Sequence, residues 1–213
     1  MTFIPGTSGF PIFTDNFNAA DLADPWLKLG LSGSDKTLIL SGGRAVLTGN
    51  AGQDCSAYAP RMTMPLPYMP CDIETKLSAA NLGPRTLEGL YIGPDGQAAG
   101  ASVYDIFIDQ CNDNSDNTIR VEGNSGLYAG PTIQATIPKW FKIRCMGSHL
   151  GAQWIFYYSL NGSSWTTYFA RTLPAALGPL CVGLFIGNWY NQPAVNASFE
   201  YFTINPVNQL GPG

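Results

Sequence analysis

The sequence predicts an all-β protein built as two packed antiparallel sheets, and three observations carry that expectation. No stretch of the 213 residues sustains a 3.6-residue apolar period, whereas short alternating or apolar runs bounded by Gly, Pro, Asn or Asp recur from residue 37 to residue 204. Gly 24 and Pro 16 against 12% charged residues describe a turn-rich sheet protein, since a helical one would carry Glu, Lys and Arg in periodic runs. Finally, Trp154 to Trp165, W-I-F-Y-Y-S-L-N-G-S-S-W, reads as a whole β-hairpin. Trp154, Phe156 and Tyr158 share one strand face and Ile155, Tyr157 and Ser159 the other. Asn161-Gly162 supplies a two-residue turn that tolerates positive φ, and a return strand runs from near Trp165 to Ala170. Large side chains on both faces place this strand in the core of a sandwich.

The elements follow in order. Residues 1–13 contain Pro5, Gly6, Gly9 and Pro11 and cannot be helical, so they form an extended arm. Phe3, Ile4, Phe10 and Ile12 would be costly to leave in water, so the arm is expected to dock on its own domain or on a neighbouring subunit. A single domain then spans 14–205, and 206–213 is a loose tail. Phe17, Leu22 and Trp26 anchor a turn-like segment. Thr37–Leu40 and Arg44–Thr48 flank Gly42-Gly43 as a second hairpin. Ser56–Met62 is a short strand, followed by an irregular crossover at Pro65, Pro67 and Pro70. Cys71–Leu77 alternates, with Cys71, Ile73, Thr75 and Leu77 inward and Asp72, Glu74 and Lys76 on a solvated face. Leu87–Ile92, Val103–Ile108, Thr118–Val121, Thr132–Ile137, Trp140–Met146, Leu180–Ile186 and an alternating Ala197–Ile204 complete the series.

Composition excludes several functions. The formal charge is -4 and no Lys/Arg cluster occurs, so nucleic-acid binding has no electrostatic footprint. No apolar run reaches the ~18 residues of a membrane helix. The start, M-T-F-I-P-G-T-S-G-F-P, lacks the basic and apolar regions of a secretory signal. Cys55, Cys71, Cys111, Cys145 and Cys181 are odd in number with no C-x-x-C pair, which argues for buried thiols over a zinc site or a disulfide framework. A Cys55–Cys71 bridge between neighbouring strands stays open.

The ordered set D-N-F-N-A-A-D-L-A-D-P-W, S-G-G-R-A-V-L-T, C-D-I-E-T-K-L, K-W-F-K-I-R, Y-S-L-N-G-S-S-W, V-G-L-F-I-G-N and A-S-F-E-Y-F-T-I, spanning about residues 15–204, resembles the concanavalin A-like lectin/glucanase jelly rolls. The likeness is greatest to laminin-G-like and DUF1349-like modules. It implies a jelly-roll sandwich whose concave sheet or loop rim often binds glycans, and in some members a structural calcium.

Site chemistry is sparse. The resemblance implies catalytic carboxylates in an E-x-D-x-x-E strand for the glucanase branch, but here only Asp72 and Glu74 share a face, and beside Lys76 they read as a solvated strand. Glu88, Glu122 and Glu200 are isolated. His149, the sole histidine, sits in a turn without a nearby carboxylate or a G-x-S-x-G elbow, so no Ser-His-Asp triad is expected. Asp105, Asp109, Asp113 and Asp116 offer calcium-type oxygens, but their spacing misses the D-x-[DN]-x-[DN]-G pattern, and Asn, Asp and Ser are ordinary turn residues. No cofactor is expected, with calcium as the weaker alternative. For carbohydrate, Asn188, Trp189, Tyr190 and Asn191 combine aromatic faces with amides in one loop.

An extracellular type of module with no leader, unpaired cysteines and an apolar arm is explained by a virion protein. The expected function is therefore that of a non-enzymatic phage structural subunit, capsid-decorating or tail-associated, located on a virion after synthesis in the host cytoplasm. Its expected partners are other virion subunits or further copies of itself through the arm, and a host glycan, with neither nucleic acid nor membrane. The alternative is a free carbohydrate-binding module, secreted or on a cell surface. A glycoside hydrolase ranks below both.

Overall fold

Strand alternation fixes the architecture, because each inward residue must meet another layer. The computed structural model describes residues 13–22, 24–29, 36–49, 61–66, 70–81, 86–94, 106–113, 116–123, 126–133, 139–188 and 195–207, and every regular element among them is a β-strand. In chain order these are β1 (Phe13–Asp15), β2 (Leu27–Leu29), β3 (Lys36–Leu40), β4 (Ala45–Gly49), β5 (Arg61–Pro65), β6 (Cys71–Asn81), β7 (Thr86–Gly93) and β8 (Ile106–Asp113). They continue as β9 (Asp116–Gly123), β10 (Gly126–Ile133), β11 (Trp140–Cys145), β12 (Gln153–Ser159), β13 (Thr166–Thr172), β14 (Cys181–Asn188) and β15 (Val195–Pro206). The first sheet runs β13-β12-β11-β6-β15-β4-β3, and the second β10-β9-β8-β7-β14-β5-β2. Strand β15 is long enough to pair on one side with both β4 and β1. Two antiparallel sheets face to face make the jelly-roll-like sandwich that the sequence predicts.

The core lies between the sheets. Leu47, Ile73, Phe141, Ile143, Trp154, Phe156, Phe199 and Phe202 of the first sheet meet Met62, Leu90, Ile108, Ile119, Val182 and Leu184 of the second, all buried. Tyr168 crosses the gap, its hydroxyl donating to the Ile119 carbonyl at 2.8 Å. At one edge, Trp26 packs edge-on against Phe202 (4.9 Å between centroids) and Phe13 (5.9 Å). Its indole N–H donates to Asp15 at 2.8 Å, while the other Asp15 oxygen accepts from the Phe17 amide. Phe17 and Trp26 are thus the buried anchors that their apolar character predicts, and Leu22 packs beside them half-buried. Phe13, counted above with the arm, pairs with Ile204 as part of β1.

The Gly42-Gly43 hairpin forms as expected, both glycines at positive φ, and Ser41 N–H closes it on the Arg44 carbonyl. Other boundaries differ. The Trp154 hairpin has no two-residue turn: Tyr158 pairs with Thr166 and residues 160–165 form a longer loop. Side chains compete successfully for its backbone. Asn161 Oδ1 accepts from the Ser163 and Ser164 amides, and Ser159 Oγ from the Gly162 amide. Of the expected Val103–Ile108 and Thr132–Ile137 strands, residues 103–105 and 134–137 lie outside the described residues, while the described parts extend further than expected, as Ile106–Asp113 and Gly126–Ile133, because ladder pairing overrides the turn preference of Asn, Asp and Gly. The final strand does not alternate strictly. Phe199 and Phe202, three residues apart, both face inward, and a bulge between them turns Glu200 and Tyr201 outward together.

Candidate functional site

The outer face of the first sheet is assembled by register. Strands β15, β6, β11 and β12 lie side by side, so their outward side chains fall into cross-strand rows. One row is Tyr201, Lys76 and Trp140. The next is Thr203, Glu74, Lys142 and Tyr157, and the third is Asn205, Asp72, Arg144 and Ile155. The β12–β13 loop folds back over this field. Trp165 covers Lys142, whose Nζ lies 3.8 Å from the ring centroid, and Gly162 approaches Trp140 so closely that a Cβ there would stand 2.8 Å from the indole nitrogen.

Asp72, Glu74 and Lys76 are not the freely solvated face that alternation alone suggests, since all three are half-buried among aromatic and charged neighbours. Arg144 holds Asp72 in a two-pronged pair, Nε to Oδ1 and Nη2 to Oδ2, each at 2.7 Å. That hydrogen bonding raises the guanidinium's pKa further. Glu74 has a different environment. Burial pushes its carboxyl above the ordinary range, only partly opposed by the Tyr201 hydroxyl, which donates to Oε1 at 2.5 Å. The Tyr201 phenol is pushed up in turn, first by burial and then by that carboxylate. Lys142 is lowered by burial, against the pull of Asp72 and Glu74, and its ammonium also lies 5.2 Å from the Tyr157 ring. Glu200 is not isolated, since the bulge brings it to Lys76 at 2.6 Å.

Chemically, this face combines flat apolar surfaces from Trp140, Tyr157 and Trp165 with fixed acceptors and donors. That is the pairing a saccharide requires, because its C–H faces stack on rings while its hydroxyls bind carboxylates and ammonium groups. Two carboxylates two residues apart on one strand, one ion-paired and one with a raised pKa, are also the arrangement acid–base chemistry uses.

The second sheet presents a different outer face. Leu87, Tyr91 and Phe185 form a small apolar cluster there, all buried. Glu88, on the core face of β7, is fully buried and its carboxyl is pushed well up by burial, which keeps it from any ligand in solution. His149 sits exposed in the β11–β12 turn.

Of the residues the sequence singled out for carbohydrate, Asn188 ends β14 opposite Thr86, while Trp189, Tyr190 and Asn191 lie outside the described residues. Phe3, Ile4, Phe10 and Ile12 of the arm, and Asp105, lie outside them too. The backbones of Asp109, Asp113 and Asp116 belong to the β8–β9 hairpin, where Asp113 pairs with Asp116, and not to an open loop. Cys71 and Cys145 are buried thiols and Cys181 is a half-buried one, while Cys55, the other half of the open Cys55–Cys71 pairing, lies outside the described residues. Sequence reasoning missed Trp140, Lys142, Arg144, Tyr157, Trp165 and Tyr201 as one surface. The alternation W-F-K-I-R-C signals that the first three share a face, but which strands lie beside them is not a local property.

No protein-family model matches the sequence, and no curated protein matches it. Solved structures do. The chain resembles a xylan β-1,4-xylosidase from Bacillus halodurans C-125 with a TM-score of 0.68 and 15% identity, over 96% of this chain and 41% of that one. It resembles the GH43 protein BlXynB from Bacillus licheniformis with a TM-score of 0.70 and 16% identity, over 90% and 39%. A third structure, from work on endo-acting O-glycanases of the human gut microbiota that initiate mucin breakdown, gives a TM-score of 0.62 and 12% identity over 93% of this chain and all of that one. The chain thus spans about two fifths of the xylosidase and the BlXynB chain. At these identities the likeness is one of fold.

These neighbours correct two expectations. The virion subunit, with a free carbohydrate-binding module as its alternative, and the expectation of no enzymatic role are not upheld, since the solved structures that share this fold include a xylosidase and GH43 proteins, at 13–16% identity. The virion expectation draws on the apolar character of the N-terminal residues and the odd cysteine count, neither of which specifies a partner. The solvated face that alternation predicts for Asp72 and Glu74 is instead half-buried, with unlike environments for the two carboxylates.

Proposed function

We propose that this chain is a concanavalin A-like sandwich that serves glycoside hydrolysis, holding a saccharide on the outer face of its first sheet. The observation that carries the reading is the convergence of Trp140, Tyr157 and Trp165 with Asp72, Glu74 and Lys142 on that face, supported by the glycoside hydrolases that share the fold. Rings supply the platform and charged groups the orientation. A second reading, that the face itself cleaves the glycosidic bond, is favoured by the raised Glu74 beside the ion-paired Asp72. In it Glu74 gives up a proton to the leaving oxygen while Asp72 stays paired with Arg144.

The test presents xylan- and mucin-derived oligosaccharides to the whole chain and measures both binding and reducing-sugar release, in wild type and Glu74→Gln. Release abolished in Glu74→Gln with binding retained supports the cleaving face. Binding without release supports a saccharide-holding role in hydrolysis carried out together with another unit. Absence of both overturns the proposal.

A further inference from the structure

Cys71 is the first residue of β6 and Cys145 the last of β11, and the two are direct partners in the antiparallel register of these strands. Both point into the core, fully buried, and both are thiols. Directly opposed residues in an antiparallel pair have Cα atoms ~4.5 or ~5.5 Å apart, within the ~4.4–6.8 Å window a disulfide spans without backbone movement. The next register pair along the same strands is Asp72 and Arg144, so this end of the ladder also carries the candidate site.

We infer that Cys71 and Cys145 are an oxidative cross-link site that can tie β6 to β11 beneath the saccharide face. The co-reactant is a small-molecule disulfide. One cysteine thiolate attacks it and expels one small thiol, giving a mixed disulfide. The second cysteine thiolate then displaces the other small thiol, so two protons and two electrons leave the protein as two reduced small-molecule thiols. In the folded chain burial pushes the Cys145 thiol up to about 11 and Cys71 higher still, and neither is exposed, so the bond forms while the chain folds and not on the finished sandwich.

The experiment refolds the denatured full chain in a reduced/oxidised glutathione buffer, with a parallel sample kept in dithiothreitol. Non-reducing proteolysis and mass spectrometry then locate the bond, with a mass loss of about 2 Da per bridge. The expected result is a peptide joining Cys71 to Cys145 and a Tm about 10 °C above the reduced sample, as closing a long loop implies. Mapping in wild type does not depend on whether any variant folds. A Cys55→Ser/Cys111→Ser/Cys181→Ser background should keep the bridge, and Cys145→Ser should lose it. Full alkylation of both cysteines after refolding, or bridges that join either one only to another cysteine, would overturn the inference.

Discussion

Replacing Gly162 with Ala tests how the β12–β13 loop shapes the candidate site. Gly162 has φ 76°, where an L side chain costs about 1–2 kcal/mol. Its added Cβ would stand 2.8 Å from Trp140 Nε1 and 2.9 Å from Cε2, well inside van der Waals contact, so the indole or the loop must move. Gly42 provides the control. It has φ 59° and nothing within 4 Å of the position a Cβ would take, so Gly42→Ala carries the backbone term alone. Gly162→Ala should cost about 2–3 kcal/mol and lower Tm by about 4–12 °C, while Gly42→Ala should cost about 1–2 kcal/mol. Thermal melts by circular dichroism give the two shifts, and tryptophan fluorescence reports whether Trp140 is displaced. Equal shifts for the two variants, with unchanged fluorescence, would refute the contact between loop and platform.

Three further outcomes follow from the same structure. Trp154 is fully buried with its indole N–H on the Gly147 carbonyl, so Trp154→Ala should cost about 3–5 kcal/mol by denaturant titration, and a loss under 1 kcal/mol would contradict the core assignment. Arg144→Ala leaves Asp72 without its two-pronged partner. Because the guanidinium is more than a third exposed, the loss should be only about 1 kcal/mol and should shrink in high salt. Burial raises the Glu74 pKa from its ordinary 4.5, so the folded chain holds that proton to higher pH than the unfolded chain does. Its contribution to stability is therefore present in acid and is lost as pH rises through the folded value, and Glu74→Gln should gain on wild type as pH rises above the ordinary 4.5. The opposite trend in paired melts would refute the burial argument.

The sheets were legible in the sequence because alternation is a local signal. Cys71 to Leu77 and Trp140 to Cys145 show their inward and outward faces without reference to any neighbour. The bulge at Glu200 was legible in principle, since Phe199 and Phe202 cannot both face inward in an unbroken strand. Register was not. Nothing local says that Lys142 lies between Glu74 and Tyr157, residues far from it in the chain, and the site exists only through that order. The Asn161-Gly162 pair misled for a similar reason. It signals a tight hairpin, but Ser159 and Asn161 supply enough backbone hydrogen bonds to hold a longer loop, and that loop carries Trp165 onto the outer face and not into the core.

The central claim, that a saccharide lies on the outer face of the first sheet, is tested most directly by calorimetric titration of the saccharide that binds tightest into wild type, Trp140→Ala, Tyr157→Ala and Tyr91→Phe. The first two remove platform rings, while the third changes a buried residue of the opposite sheet. The account predicts affinities about tenfold weaker for Trp140→Ala and Tyr157→Ala, equivalent to about 1.4 kcal/mol each, and an unchanged affinity for Tyr91→Phe. Unchanged affinity in both platform variants, or a loss confined to Tyr91→Phe, would contradict it.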